Sequence, residues 1–129
     1  MEDEKEISDS INLLKDKVAN FVQKRDWEKF HTPKNLAMGI AIESAEIMEL
    51  FQWHTNEEAE KAVFEDLELR NNLMEEMADV LIYLLSLSHQ IGVNLSEIVI
   101  NKLQKNEKRF PIKEVKGKFR NKGNSKWMK

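Results

Sequence analysis

Two stretches of this sequence, residues 36–53 and 73–91, are apolar with helical spacing, yet both carry acidic residues and neither contains a lysine or an arginine. Each stretch has an acidic pair three positions apart on its apolar face, and this spacing places both carboxylates on one helix face. The pairs are Glu43 with Glu46 and Glu76 with Asp79. A carboxylate on an apolar helix face is costly unless a cation compensates its charge. The sequence therefore predicts two packed helices that share one cation site.

The rest of the chain is also typical of an all-α protein. Four glycines and two prolines in 129 residues leave little room for the turns of a β fold, and 3.6-residue periodicity dominates. The length suits a single domain with one core, which we expect to resemble a four-helix bundle. The absence of cysteine excludes disulfides and thiolate metal sites.

Apolar spacing and capping residues predict four long helices and one short one. The long helices cover about residues 10–22, 33–53, 72–91 and 95–110, and the short one covers 57–63. A cap between Ser8 and Ser10 is expected to begin the first helix, and the charged stretch 65–70 separates the short helix from the third.

Three helix ends have specific signals. Thr32 followed by Pro33 is typical of an N-cap and first helical position. Gly92 suits the residue that follows a helix C-terminus, and Asn94 with Glu97 resembles a capping box.

The domain is predicted to span residues 1–112, followed by a basic, mobile tail over residues 113–129. The tail contains seven lysines and arginines and one acid, Glu114. With a net charge of −3 for the chain, this tail is weak evidence for nucleic-acid binding. The acidic start of the chain is unlike a signal peptide and no apolar run is long enough to cross a membrane, so a cytoplasmic location is the default expectation.

Carboxylate ligands without cysteine favour Mg²⁺, or alternatively Mn²⁺, over zinc. A di-iron bundle needs two Glu-x-x-His motifs on separate helices, whereas only Glu28-x-x-His31 is present, in a predicted connector. Mg²⁺ bound by carboxylates commonly also binds phosphates, yet the chain has no glycine-rich phosphate loop. The bland alternative is that the four acids are solvated or ion-paired surface residues.

Several segments resemble the MazG-type all-α nucleoside triphosphate pyrophosphohydrolases, most closely the small dCTP pyrophosphatase branch. The resemblance covers about residues 10–117 and is carried by residues 25–36, 49–53, 75–84 and 102–111. Ile42 departs from many MazG proteins, which have a further glutamate there.

This resemblance implies hydrolysis of a nucleoside triphosphate, with dCTP expected, between the α and β phosphates to give a monophosphate and pyrophosphate. The implied Mg²⁺ ligands are Glu43, Glu46, Glu76 and Asp79. The positions that match the nucleotide pocket are Trp27, His31, Trp53, Tyr83, Lys102 and Asn106. A carboxylate not fully used for the metal can accept the proton of the attacking water, and Glu46 or Glu49 is the candidate.

Two alternatives stay open at this point. A related all-α enzyme acting on dUTP or phosphoribosyl-ATP would share the metal site and differ in its base pocket. A non-catalytic helical dimerisation module would not need four acids at matching spacing. Four helices of one chain can hardly bury this much apolar surface by themselves. We therefore expect a homodimer or homotetramer whose pocket is completed across subunits.

Overall fold

The structure, a computed structural model, describes residues 2–118, with side chains from Ser10 onward. The described residues contain helices and no strand, which confirms the all-α prediction. The helices are α1 (Glu2–Lys24), α2 (Pro33–Phe51), α3 (Asn56–Glu65), α4 (Leu67–Ile91), α5 (Leu95–Arg109) and α6 (Ile112–Val115), with a 3₁₀ turn at Glu28–Phe30. None of the helices in this range is long and apolar enough to cross a membrane. Of the predicted mobile tail, residues 119–129 lie outside the described residues.

The three predicted helix ends are confirmed. The Thr32 hydroxyl accepts a hydrogen bond from the Asn35 N–H at the start of α2. Gly92 ends α4 with φ of 69°, in the left-handed region that a glycine adopts without steric cost. The Asn94 side chain accepts from the Glu97 N–H at 3.2 Å and so caps α5.

Two predicted helix starts were wrong. α1 begins at Glu2, upstream of the expected cap. α4 begins at Leu67, five residues before the predicted start. The Asp66 carboxylate accepts a hydrogen bond from the Leu69 N–H at 3.1 Å. The stretch predicted as a charged connector is therefore a cap and the first turn of a helix.

The end of α1 is closed by a left-handed residue other than glycine. Asp26 has φ of 53°, and the Trp27 N–H donates to the Val22 carbonyl while the Asp26 N–H donates to the Gln23 carbonyl. This pair of hydrogen bonds is the Schellman arrangement of a helix C-terminus. It reverses the chain and places Trp27 at the entrance to the 3₁₀ turn.

The described chain forms two compact units, one up to Val93 and one from Asn94 onward. In the first unit α4 is the central element, and α1, α2 and α3 all pack against it, α2 most extensively. The most deeply buried side chains are Leu36 on α2 and Leu85 on α4, at 1% and 2% exposed. In the second unit Phe110 is buried.

Much apolar surface stays outside this core. On α4, Met74, Met77 and Leu81 are exposed and recur at helical spacing, so they form one apolar stripe. Met38 and Ile42 on α2 are exposed as well. Apolar patches of this extent on a small chain commonly mark an interaction surface.

Candidate active site

α2 and α4 run in opposite directions where they carry the acidic pairs. A side chain at Gly39 would meet the Tyr83 ring, and four residues later Glu43 lies against Glu76. One carboxylate oxygen from each of Glu43, Glu46 and Glu76 lies within 4.8 Å of the other two. The two helices therefore bring three carboxylates close together, an arrangement that can hold a single divalent cation.

One carboxylate oxygen of Glu43 and one of Glu76 are buried without a donor. Oε2 of Glu43 and Oε2 of Glu76 are inaccessible to solvent, and no N–H or hydroxyl group of the described residues donates to them. A carboxylate can only accept hydrogen bonds, so such atoms are satisfied by a proton shared between carboxyl groups or by a cation. The donor set and these orphaned oxygens fit a divalent metal ion that prefers oxygen ligands.

The crowding changes the acidity of two members of the cluster. Hydrogen bonds with Glu43 and Glu46 raise the pKa of Glu76 to about 7. The hydrogen bond with Glu76 lowers the pKa of Glu43, but burial and the neighbouring Glu46 and Asp79 outweigh it, so this pKa lies above its ordinary value. The cluster therefore holds a proton at a pH where isolated carboxylates are ionised.

The remaining predicted acids lie near this point. Asp79 acts on Glu43 through its charge, but its carboxylate is not among the three grouped oxygens. Glu49 follows Glu46 by one turn of α2, is exposed and is also outside the group.

An open cavity of about 340 Å³ lies about one helical turn from the cluster. It is lined by the region around the 3₁₀ turn, by α2 up to Ile42, and by Tyr83 of α4. None of the grouped carboxylates lines this cavity, but Gly39, which does, precedes Glu43 by one turn of α2. The His31 and Tyr83 rings are stacked with their centroids 6.5 Å apart and an interplanar angle of 26°.

Gly39 explains how Tyr83 reaches this position. A Cβ atom at residue 39 would lie 2.9 Å from Cε1 of Tyr83, so the absent side chain lets the ring lie flat against α2. On the opposite side of the cavity, the side-chain amide of Asn35 donates to the Phe30 carbonyl at 3.0 Å and so connects the 3₁₀ turn to α2. The close approach allowed at Gly39 thus positions Tyr83, and the hydrogen bond from Asn35 positions the turn that precedes His31.

Neither of the two tryptophans predicted for the pocket lines the open cavity. Trp27 is 43% exposed, contacts the Phe21 ring edge-on at 6.0 Å, and has the Arg25 guanidinium 6.0 Å from its own ring. Trp53 follows the C-terminus of α2 and is 87% exposed. Since about 20 residues of mostly helical chain separate Trp53 from the turn that carries His31, the two lie roughly 30 Å apart.

Lys102 and Asn106 lie on α5, in the second unit. Their spacing of four residues places them on one face of the helix. Lys102 is exposed, whereas Asn106 is half-buried and its Oδ1 has no hydrogen-bond partner among the described residues.

Sequence reasoning missed much of the cavity wall. Phe30, Asn35, Met38 and Ile42 line it, and nothing in their type or spacing distinguishes them from core or surface residues. One available signal was Gly39, because a glycine in a helix interior is destabilising unless another group must approach closely.

An all-helical fold with grouped carboxylates beside an open, partly aromatic cavity defines a class of candidate metal-dependent proteins that act on small molecules. The chain belongs to the MazG-like family, whose model matches residues 38–124.

Similar proteins agree with this assignment. The chain is 40% identical to dCTP pyrophosphatase 1 of Rattus norvegicus over 99 residues, which are 77% of this chain and 58% of that protein. It is 42% identical to dCTP pyrophosphatase 1 of Homo sapiens over 93 residues, covering 72% and 54%. The matched part of the chain thus spans a little over half the length of these curated relatives.

A solved structure gives the same fold. A pyrophosphatase from Archaeoglobus fulgidus superposes with a TM-score of 0.72 and 43% sequence identity, covering 79% of this chain and 93% of that chain.

The acidic cluster makes the stability of the metal-free protein depend on pH. Because the pKa of Glu76 is raised from 4.5 to about 7, its contribution to stability is fully present below about pH 4.5 and is lost as pH rises through about 7. In the presence of a chelator we expect the melting temperature to fall between pH 5 and 8. Mg²⁺ at pH 8 should restore it, because the cation binds the ionised carboxylates.

Thermal unfolding of Glu76→Gln checks this expectation. The variant should lose most of the pH dependence and the response to Mg²⁺, while Glu75→Gln, at the neighbouring position, should keep both. A melting temperature of the parent protein that rises from pH 5 to 8 without metal would contradict the electrostatic account.

Proposed function

We propose that this chain is a Mg²⁺-dependent nucleotide pyrophosphohydrolase that hydrolyses dCTP between the α and β phosphates to dCMP and pyrophosphate, and so removes unwanted triphosphates from the nucleotide pool. The observation that carries the proposal is the placement of three carboxylates within 4.8 Å of one another, about one helical turn from the residues that line an open cavity. The names of the curated relatives, dCTP pyrophosphatase 1, support the substrate and the reaction class.

In this proposal Glu43, Glu46, Glu76 and Asp79 hold the metal. Mg²⁺ suits this donor set because it prefers oxygen ligands, and Mn²⁺ has the same preference. When bound, the ion neutralises phosphate charge and makes water a better nucleophile at neutral pH. The family membership and the acidic cluster support a divalent metal, and the choice of Mg²⁺ belongs to the proposal.

The proton of the attacking water needs an acceptor. Glu46 and Glu49 are the candidates, and their positions differ in one respect. The Glu46 carboxylate belongs to the group of three, whereas Glu49 lies one turn further along α2 and outside it. Glu49 can therefore accept a proton without giving up a metal contact.

The cavity beside the cluster is proposed to bind the nucleoside. Its volume of about 340 Å³ lies within the range of small-molecule sites. The stacked His31 and Tyr83 rings offer one aromatic wall and hydrogen-bonding groups for base and sugar. Trp27, Lys102 and Asn106 are proposed to contribute further nucleotide contacts. A dUTP or phosphoribosyl-ATP enzyme would use the same metal site, so a panel of triphosphates separates these possibilities.

We further propose that the protein is a homodimer or a homotetramer. The apolar stripe of Met74, Met77 and Leu81 on α4 is exposed in the single chain, as is Trp53. A second copy packed antiparallel over this face would bury the stripe. It would also bring Trp53 of one copy toward His31 of the other, which the length of α2 prevents within one chain.

Product analysis tests the proposed reaction. Incubation with dCTP and Mg²⁺ should release dCMP and pyrophosphate together. Glu46→Gln and Asp79→Asn should each lower kcat by about 100-fold or more, because each removes charge that stabilises the transition state. Glu75→Gln serves as the matched control and should retain activity. Orthophosphate as the first product, or near-full activity in either cluster variant, would refute the assignment.

The shared pocket is tested by Trp53→Ala. We expect KM for dCTP to rise more than kcat falls, because stacking is felt equally in the ground and transition states. The loss of binding free energy should be about 1–3 kcal/mol. Phe64→Ala, which removes another highly exposed aromatic ring elsewhere, should leave KM unchanged. Steady-state kinetics with light scattering gives both readouts. A fully active monomer would contradict the proposal.

A further inference from the structure

A much smaller cavity also has His31 in its wall. Its volume is about 10 Å³, and its wall includes Val22 of α1, Glu28 of the 3₁₀ turn, and Ser86 and His89 of α4. His31 lines this small cavity and also lines the open cavity of the candidate active site. His31 therefore belongs to the walls of both cavities.

Two polar atoms of the residues that line the small cavity have no partner. His31 Nδ1 and Ser86 Oγ are inaccessible to solvent, and neither makes a hydrogen bond with any described residue. Ser86 as a whole is only 6% exposed. Leaving a buried polar atom unsatisfied is costly, so nearly all such atoms in folded proteins have a partner, either a protein group or a bound water.

The behaviour of Ser86 contrasts with that of Ser88, two residues later on the same helix. Ser88 is 3% exposed and its hydroxyl donates to the Leu85 carbonyl at 2.8 Å. Such a bond to the preceding turn is the usual way in which a helical serine is satisfied. Ser86 makes no such bond, so its hydroxyl remains available to the cavity.

We infer that the small cavity is a binding site for one water molecule that bridges Ser86 Oγ and His31 Nδ1. A cavity of about 10 Å³ is just large enough for one water, and a buried water requires two or more polar partners, which these two atoms supply. Ser86 is thereby a positioning residue for His31.

The consequence for the site follows from the chemistry of imidazole. The hydrogen bond made by one ring nitrogen fixes the tautomer and the ring orientation, and so determines what the other nitrogen offers. With Nδ1 held by the bridging water, Nε2 presents one defined hydrogen-bonding character to the open cavity. This consequence rests on the proposed function, since it assumes that the open cavity binds the nucleotide, whereas the water site itself does not.

The first test is structural and uses the whole chain without nucleotide. A high-resolution crystal structure should show one ordered water between Ser86 Oγ and His31 Nδ1. The ¹⁵N shifts of the neutral His31 ring should be those of one tautomer in the parent and should move toward a mixture in Ser86→Ala. Ser88→Ala removes a hydroxyl that is equally buried in the same helix and should leave the His31 shifts unchanged. A dry cavity, or His31 shifts that do not respond to Ser86→Ala, would overturn the inference.

The second test is kinetic. Ser86→Ala should raise KM for dCTP by about 2- to 10-fold with kcat nearly unchanged, the effect of weakening one neutral hydrogen bond to a binding group. Ser88→Ala should leave both constants unchanged. If the parent protein shows the water and the single tautomer but hydrolyses no triphosphate, the proposed function fails and the water site stands. If the parent is active and Ser86→Ala alters neither KM nor the ring shifts, the inference fails and the proposed function stands.

Discussion

The mutual repulsion of Glu43, Glu46 and Glu76 is the constraint on which the rest of this structure depends. The three carboxylates meet because α2 and α4 pack antiparallel along their apolar faces, so the same contact that builds the core also concentrates negative charge. The stretches 36–53 and 73–91 contain no lysine or arginine that could neutralise it. The packing of this helix pair therefore depends on a proton or a metal ion that offsets the clustered negative charge.

The same helix pair also determines the shape of the cavity. Gly39 on α2 leaves room for Tyr83 of α4, and Tyr83 in turn stacks on His31 from the 3₁₀ turn. The cavity and the acidic cluster are thus two parts of one interface, separated by about one helical turn. A substrate with an anionic end and a flat, polar end suits such a surface better than a substrate with either feature alone.

Helical periodicity is strong enough to predict part of this arrangement from the sequence. The pairing of Glu43 with Glu46 was predictable because residues three apart share a face, although the structure groups them with Glu76 and not with Asp79. The helix ends at Thr32, Gly92 and Asn94 were predictable because their capping chemistry is local. The start of α4 was not, since Asp66 lies among charged residues that resemble a connector.

The walls of the cavity depend on interactions that sequence spacing does not reveal. Phe30 and His31 reach their positions through the left-handed turn at Asp26 and the hydrogen bond from Asn35. Ser86 and Ser88 are equivalent by residue type and burial, yet only Ser88 is satisfied by its own helix. Distinctions of this kind come from three-dimensional packing.

We propose that the grouped carboxylates hold a divalent cation near a nucleotide-binding cavity. Anomalous diffraction from crystals grown with Mn²⁺ and a non-hydrolysable dCTP analogue tests it most directly. The account predicts a manganese peak at about 2 Å from oxygens of Glu43, Glu46 and Glu76, with the nucleoside in the cavity beside His31 and Tyr83. Manganese bound elsewhere, or these carboxylates paired with lysine or arginine side chains of a second copy, would contradict it.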